Sequence, residues 1–205
     1  MSTAQPSASP FAPVTLEGNV VRLEPLRPEH ESLFWEAAKN DLTDIFRWIP
    51  YLMQSPDDFH RYMDRAFGEQ DSGQSIVFAT VERSSGSVIG STRFMNIDVP
   101  NRKAEIGSTW ISPAWQRTAC NTEAKFLMLQ HAFEVCRCIR VELKTDALNQ
   151  KSRNAILRIG AKEEGTLRQH LITSTGRVRD SVYFSILESE WPEVKHRLQA
   201  RLQRG

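Results

Sequence analysis

The sequence contains no apolar run approaching the roughly 20 residues that a membrane-spanning helix needs. Its opening, MSTAQPSASPFAP, has no basic cluster followed by an apolar core, so no secretory signal is expected either. Cysteine is scarce. Cys120, Cys136 and Cys138 make neither a disulfide framework nor a zinc-site spacing, and the simplest inference is a reducing compartment, the cytoplasm. The five histidines show no ligand spacing, so no metal is expected. There is no excess of one charge: the net charge of +1 sets up no global field, and neither nucleic acid nor a membrane is expected as a partner. Internal repeats are absent.

What is there suits a folded enzyme or binding module. The 205 residues, 40% hydrophobic and 25% charged, fit one domain with a real core. Residues 1–13, rich in Ser, Ala and Pro, read as a floppy tail, and 14–205 as the single domain. VTLEGNVVRLEPL (14–26) reads as a strand. A short helix follows from Pro28, with Leu33, Phe34 and Ala37 inward. TDIFRWIPYLMQSP (43–56) is irregular and aromatic. Ser55, Pro56 and two aspartates then open a helix whose apolar stripe is Phe59, Met63 and Phe67.

Alternation next predicts a hairpin, SIVFATV and VIGSTRF about the turn RSSGS, and a third strand, AEIGSTWIS (104–112). A buried helix follows over 122–137, carrying Phe126, Leu129, Phe133 and Cys136, widened by Met128, Ala132 and Val135. CIRVELK (138–144) alternates with Ile139, Val141 and Leu143 on one side. A short helix to Gly160, a second hairpin (163–172 with 178–187) and a basic amphipathic helix from Trp191 complete the chain. The last helix has Leu198 and Leu202 as its strong apolar anchors. The fold class is α+β: a mixed, mostly antiparallel sheet flanked by helices. One long crossover, strand 104–112 to helix 122–137 to strand 138–144, implies a central β-α-β unit with a parallel pair.

Four segments, in order, carry a resemblance: VVRLEPLRPEH, AEIGSTWISPAW, QRTACNTEAK and NQKSRNAILRIGAKEEG. Together they resemble the GNAT superfamily of acyl-CoA N-acyltransferases, in the branch related to the ribosomal-protein acetyltransferases RimJ and RimL. The resemblance spans about Val14 to Arg201. It implies acetyl-CoA as co-substrate, a protein N-terminus or small-molecule amine as acceptor, and it allows a homodimer. The family's phosphate loop, Gln/Arg-x-x-Gly-x-Gly/Ala, falls on Gln116, Arg117, Thr118, Ala119, Cys120 and Asn121. Ala119 and Asn121 stand at its small positions, and glycine at 119 would be expected to tighten binding. A loop opening a helix can close its N–H groups around an anion. The alternative for these residues is a plain capped turn, with Asn121 or Thr122 as cap.

The resemblance implies a cofactor site of Trp110, Ile111, residues 116 to 121, Thr122, Asn149 and Lys151. It implies Glu105 as a base relaying a proton through water, on a strand face shared with Gly107, Thr109 and Ile111. The family's usual tyrosine acid is replaced by Ile156, so Ser152 becomes the candidate donor to the departing sulfur, or else the cap of its helix. Trp48, Tyr51 and Arg93 are candidate acceptor contacts, Arg93 for an acidic group. The parallel strands are expected to splay for the pantetheine arm, with the amine arriving from the far side along FRWIPY. Cys120 has no histidine placed beside it by a local motif, which leaves a Cys–His hydrolase poorly supported. Ala119, Asn121 and Ile156 keep a second class open, a non-catalytic GNAT-like binding or interaction module.

Overall fold

The alternating segments of the chain close into one sheet. The structure is a computed structural model in which residues 10–204 are described. The strands are β1 (Leu16–Glu17), β2 (Val21–Pro25), β3 (Ser75–Glu82), β4 (Val88–Asp98), β5 (Lys103–Ile111), β6 (Arg140–Asp146), β7 (Lys162–Ile172) and β8 (Val178–Leu187). Their order is β1-β2-β3-β4-β5-β6-β8-β7. Every neighbouring pair is antiparallel except β5 with β6, the expected crossover pair. The first predicted strand is two, broken at Gly18. Glu123 sits so close to that glycine that a Cβ there would collide with its carboxylate.

Six helices cover the sheet: α1 (His30–Ala38), α2 (Leu42–Phe46), α3 (Pro56–Asp71), α4 (Ala119–Gln130), α5 (Gln150–Arg158) and α6 (Trp191–Leu202). The segment read as irregular thus holds α2, because Phe46 packs edge-on against Phe59 and Trp110. Ser55 caps α3 in a full capping box with Asp58. Helix α1 buries His30, Phe34 and Ala38, an i, i+4, i+8 row, so Leu33 lies off the stripe at 44% exposure rather than inward.

Two cores result. One holds α1, α2 and α3 against Val77, Ala79 and Trp110; the other holds α4 and α6 against the opposite face. Helix α6 is anchored by Trp191, Val194 and Leu198, with Leu202 only half-buried. Residues 1–9 of the expected tail lie outside the described residues. Phe11, within that tail, is buried edge-on against Phe94.

Helix α4 begins three residues earlier than expected and ends in a π turn, His131–Val135. The wider turn holds one more residue, which rotates Val135 out to 60% exposure while Cys136 stays buried. Ile139 is also exposed, because it precedes the first ladder pair at Arg140.

Glu123 ties α4 to the sheet edge. Its carboxylate accepts the N–H groups of Asn19 (2.9 Å), Val20 (2.7 Å) and Val21 (2.7 Å). Each buried donor left unmade costs about 1–3 kcal/mol. Glu123→Ala is therefore expected to lose roughly 3 kcal/mol or more in urea denaturation, and a loss below about 1 kcal/mol would mean that water replaces the carboxylate without penalty.

Candidate active site

The parallel pairing of β5 with β6 is short. Lys103, Ala104 and Glu105 pair with Arg140, Val141 and Glu142, and no ladder pair follows. Both strands run on, β5 to Ile111 against β4 and β6 to Asp146 against β8. Their facing edges therefore part and leave backbone groups without a sheet partner. A bulge sharpens the divergence: Arg93 pairs with Gly107 and Ser91 with Trp110, so two residues of β5 oppose Thr92, and Ser108 is left-handed at φ +46°. This corrects the expected alternation. Glu105, Gly107 and Trp110 face the α3 side, whereas Thr109 turns to α4.

A cavity of about 1260 Å³ fills the divergence and opens on both faces of the sheet. Except for Cys120, every candidate residue lines it. On the α4 side Thr118 is the N-cap, its hydroxyl accepting the Cys120 N–H at 3.3 Å. Neither Asn121 nor Thr122 is the cap. The N–H groups of Ala119 and Asn121 have no acceptor within the helix. The left-handed residue of the loop is Arg117 (φ +64°), and Ala119 and Asn121 have ordinary helical φ. Alanine is thus unstrained, so backbone strain gives no reason to expect tighter binding with glycine. The Asn121 Oδ1 is buried without a partner. The Cys120 side chain lies in the core, where burial raises its thiol pKa and keeps it a thiol.

Helix α5 forms the facing wall. Asn149 is its N-cap, accepting the Ser152 N–H at 3.0 Å, so Ser152 is not the cap, and it lines the cavity. Lys151 bonds Gln116 Oε1 across the cleft, and Gln116 Nε2 donates to the Ile111 carbonyl at 2.9 Å. Ile156 is buried, as a hydrophobic replacement of the tyrosine should be. The wall made by the loop, α4, α5, α6 and the residues just after it presents Arg117, Lys125, Lys151, Arg158, Arg201 and Arg204 and, among the described residues, no carboxylate. Arg158, Arg201 and Arg204 were not legible as site residues, since the first two sit among other charges on amphipathic helices and Arg204 follows the end of α6.

Across the sheet the lining carries two carboxylates, Glu69 and Glu105, each paired with a cation, beside Arg65 and Arg179. Glu105 is 2% exposed; its Oε2 accepts from Lys144 Nζ and Asn96 Nδ2, both at 2.9 Å, and its Oε1 has no partner. Arg93 is buried rather than a surface group, paired with Glu69 at 2.7 Å and 5.0 Å over the Tyr62 ring. Burial pushes the Tyr51 phenol up to about 12, so it stays protonated and can donate. Trp48 is half-buried at the cavity wall with Arg177 over its ring, and its carbonyl accepts from Arg179 at 3.2 Å.

These features coincide with what comparison finds. An acetyltransferase (GNAT) domain matches residues 21–162. The chain belongs to the GNAT acetyltransferase family. It is 39% identical over 110 residues to "Putative ribosomal N-acetyltransferase YdaF" of Bacillus subtilis, covering 54% of this chain and 59% of that protein. A GCN5-related N-acetyltransferase from Brucella melitensis has the same fold at a TM-score of 0.86 with 35% identity, over 94% of this chain and 87% of that one. RimJ of Mycobacterium smegmatis, solved with CoA-disulfide, shares the fold at a TM-score of 0.77 and 23% identity, over 88% of each chain. The chain thus aligns with under two thirds of the Bacillus relative's length. As a GNAT acetyltransferase it has no helix, among the described residues, long and apolar enough to cross a membrane.

Sequence reading missed Lys125, whose signal was a lysine on the inward face of a buried helix. It is 6% exposed, and its Nζ donates to the hydroxyls of Thr92 (3.0 Å) and Thr109 (2.5 Å). Burial pushes its pKa down to about 7. The unfolded chain, with an ordinary lysine near 10.4, binds the proton more tightly, so this residue costs stability most at and below pH 7. That cost fades as pH rises from about 7 towards 10. Lys125→Met is accordingly expected to stabilise the free protein at pH 7 by on the order of 3 kcal/mol, with the gain shrinking by pH 9.5. Chemical denaturation at both pH values checks this, and a gain that is equal at both would show that the amine is not titrating.

Proposed function

We propose that this GNAT acetyltransferase moves an acetyl group from acetyl-CoA to a primary amine, a protein N-terminus or a small-molecule amine, by direct attack on the thioester. The observation that carries the reading is the cavity between β5 and β6, cationic with no carboxylate among the described residues on one face of the sheet, and carrying the paired carboxylates Glu69 and Glu105 on the other. The first half suits a polyanionic cofactor: N–H groups at the start of α4, five cations in Arg117, Lys151, Arg158, Arg201 and Arg204, and unpaired strand edges for an amide-bearing arm. Trp110, Ile111, residues 116 to 119, Asn121, Thr122, Asn149 and Lys151 would hold it. Bound acetyl-CoA supplies the acetyl group as an activated thioester. An unstrained Ala119 argues against the alternative of a binding module with a disabled loop.

The second half suits the amine. It must arrive neutral, which is easier for an α-amine near 8 than for a lysine near 10.4. Glu105 presents a free buried Oε1 to the cavity and takes the amine's proton through water, while Lys144 and Asn96 hold its other oxygen. The Ser152 hydroxyl donates a hydrogen bond to the departing sulfur. Trp48 and Tyr51 wall the acceptor, with Arg93 behind them. The name of the Bacillus subtilis relative favours a ribosomal-protein amine among these acceptors.

Binding is tested by heating the full chain with and without CoA. Ligand at 100 times its dissociation constant stabilises by about 2.7 kcal/mol; no shift at millimolar CoA would end the reading. Thiol release from acetyl-CoA, followed over a panel of N-terminal peptides and small amines, then finds the acceptor. Glu105→Gln should slow turnover most at low pH and approach wild-type above the amine's own pKa, about 8 for an α-amine. An unchanged pH–rate profile removes Glu105 from the proton path. Ser152→Ala should lower kcat more than CoA affinity, and the reverse pattern would make it a binding group only.

A further inference from the structure

Lys125 has no part in the scheme above, and among the described residues nothing around it supplies a counter-charge. From β4 and β5 it is faced by the hydroxyls of Thr92 and Thr109, which also bond each other at 2.8 Å. From its own helix it is accompanied by Met128, whose sulfur accepts from Thr92, and by Thr122 at the cavity wall. The carboxylates on the elements about α4 are engaged elsewhere: Glu24 with Arg22 and Arg27, Glu123 with residues 19 to 21, and Glu134 with Lys195 and Trp191. His131, further along the same chain segment, is half-buried against Phe94, and burial lowers its pKa, which favours the neutral ring. On the Lys125 face of the sheet the cavity presents the cations Arg117, Lys151, Arg158, Arg201 and Arg204, and the lining carboxylates of the other face, Glu69 and Glu105, are engaged with Arg93 and Lys144.

A buried ammonium needs an opposite charge or abundant hydrogen bonds, and two hydroxyls meet that need only in part. The hydroxyls account for two N–H directions, and an ammonium has a third. Lys125 lines the cavity, so a ligand can meet that direction. An apolar side chain would fill the same space beside Met128 without the cost. At neutral pH the fold therefore carries a penalty that a bound anion would relieve.

We propose that Lys125 is a cofactor-binding residue that takes up a proton as the anionic cofactor enters the cavity. This rests on the acetyl-CoA reading above. The free protein at pH 8 holds mostly the neutral amine. The cofactor's negative charge, acting through low-dielectric surroundings, favours the ammonium, which in turn favours the cofactor. Binding and proton uptake are then one linked event. CoA affinity is steady below about pH 7 and falls as pH rises above it, by at most about tenfold per unit.

Isothermal titration of the full chain with CoA at pH 8 decides the matter, run in two buffers of different ionisation enthalpy. The cofactor's phosphates, with second pKa values of about 6, are already ionised there, so a proton taken up goes to the protein. Wild-type is expected to gain between about half and one proton per CoA more than Lys125→Met. The variant should bind CoA about tenfold or more weakly at pH 7, with the gap closing by pH 9.5. Equal proton uptake by the two proteins, with CoA bound by both, overturns the role of Lys125 alone. No heat of binding with either protein overturns the acetyl-CoA reading and this inference with it.

Discussion

The structure turns on where two parallel strands stop pairing. Beyond Glu105 and Glu142 the inner edges of β5 and β6 are free, while their outer edges stay bound to β4 and β8. Backbone groups in that position must find another partner or remain in water. The bulge at Ser108 keeps the divergence in place, because an extra residue on β5 prevents the strand from resuming a flat register. Helix α4 starts at one mouth of the gap and α5 forms its far wall, so the crossover that creates the parallel pair also furnishes the cavity.

The gap divides the sheet into two chemical environments. The α4–α5–α6 side offers positive charge and free N–H groups with nothing acidic among the described residues to cancel them. The α1–α2–α3 side holds its carboxylates in pairs, Glu105 with Lys144 and Glu69 with Arg93, among tyrosines and tryptophans. A polyanion prefers the first and a neutral amine tolerates the second. Glu105 lies at the junction, held at one oxygen and open at the other. Lys125 shows the same economy from the opposite direction: a group that weakens the free fold is placed where a ligand's charge offsets the loss.

Much of the architecture was legible because local signals agreed. The Ser55–Pro56–Asp58 start of α3 needs only neighbouring atoms to form its box. The hairpin about residues 83–87 and the parallel pair across α4 follow from period and connection length. The boundaries were less legible. Thr118 was not recognisable as the cap, since it competes with Asn121 and Thr122 for the same role, and tertiary contacts chose the earlier start.

By itself the sequence determined the α+β class, the crossover, the identity of the loop that opens α4 and the order of elements, apart from α2 and the break between β1 and β2. Each of these depends on periodicity or on residues close together in the chain. Only the tertiary structure decided that Thr109 turns away from Glu105, that Arg93 is buried, that Arg201 and Arg204 reach the cavity, and that Lys125 has no counter-ion. A bulge exists only against a partner strand, and a charge is unpaired only with respect to everything packed around it. Both are properties of contacts between distant residues, which no local pattern encodes.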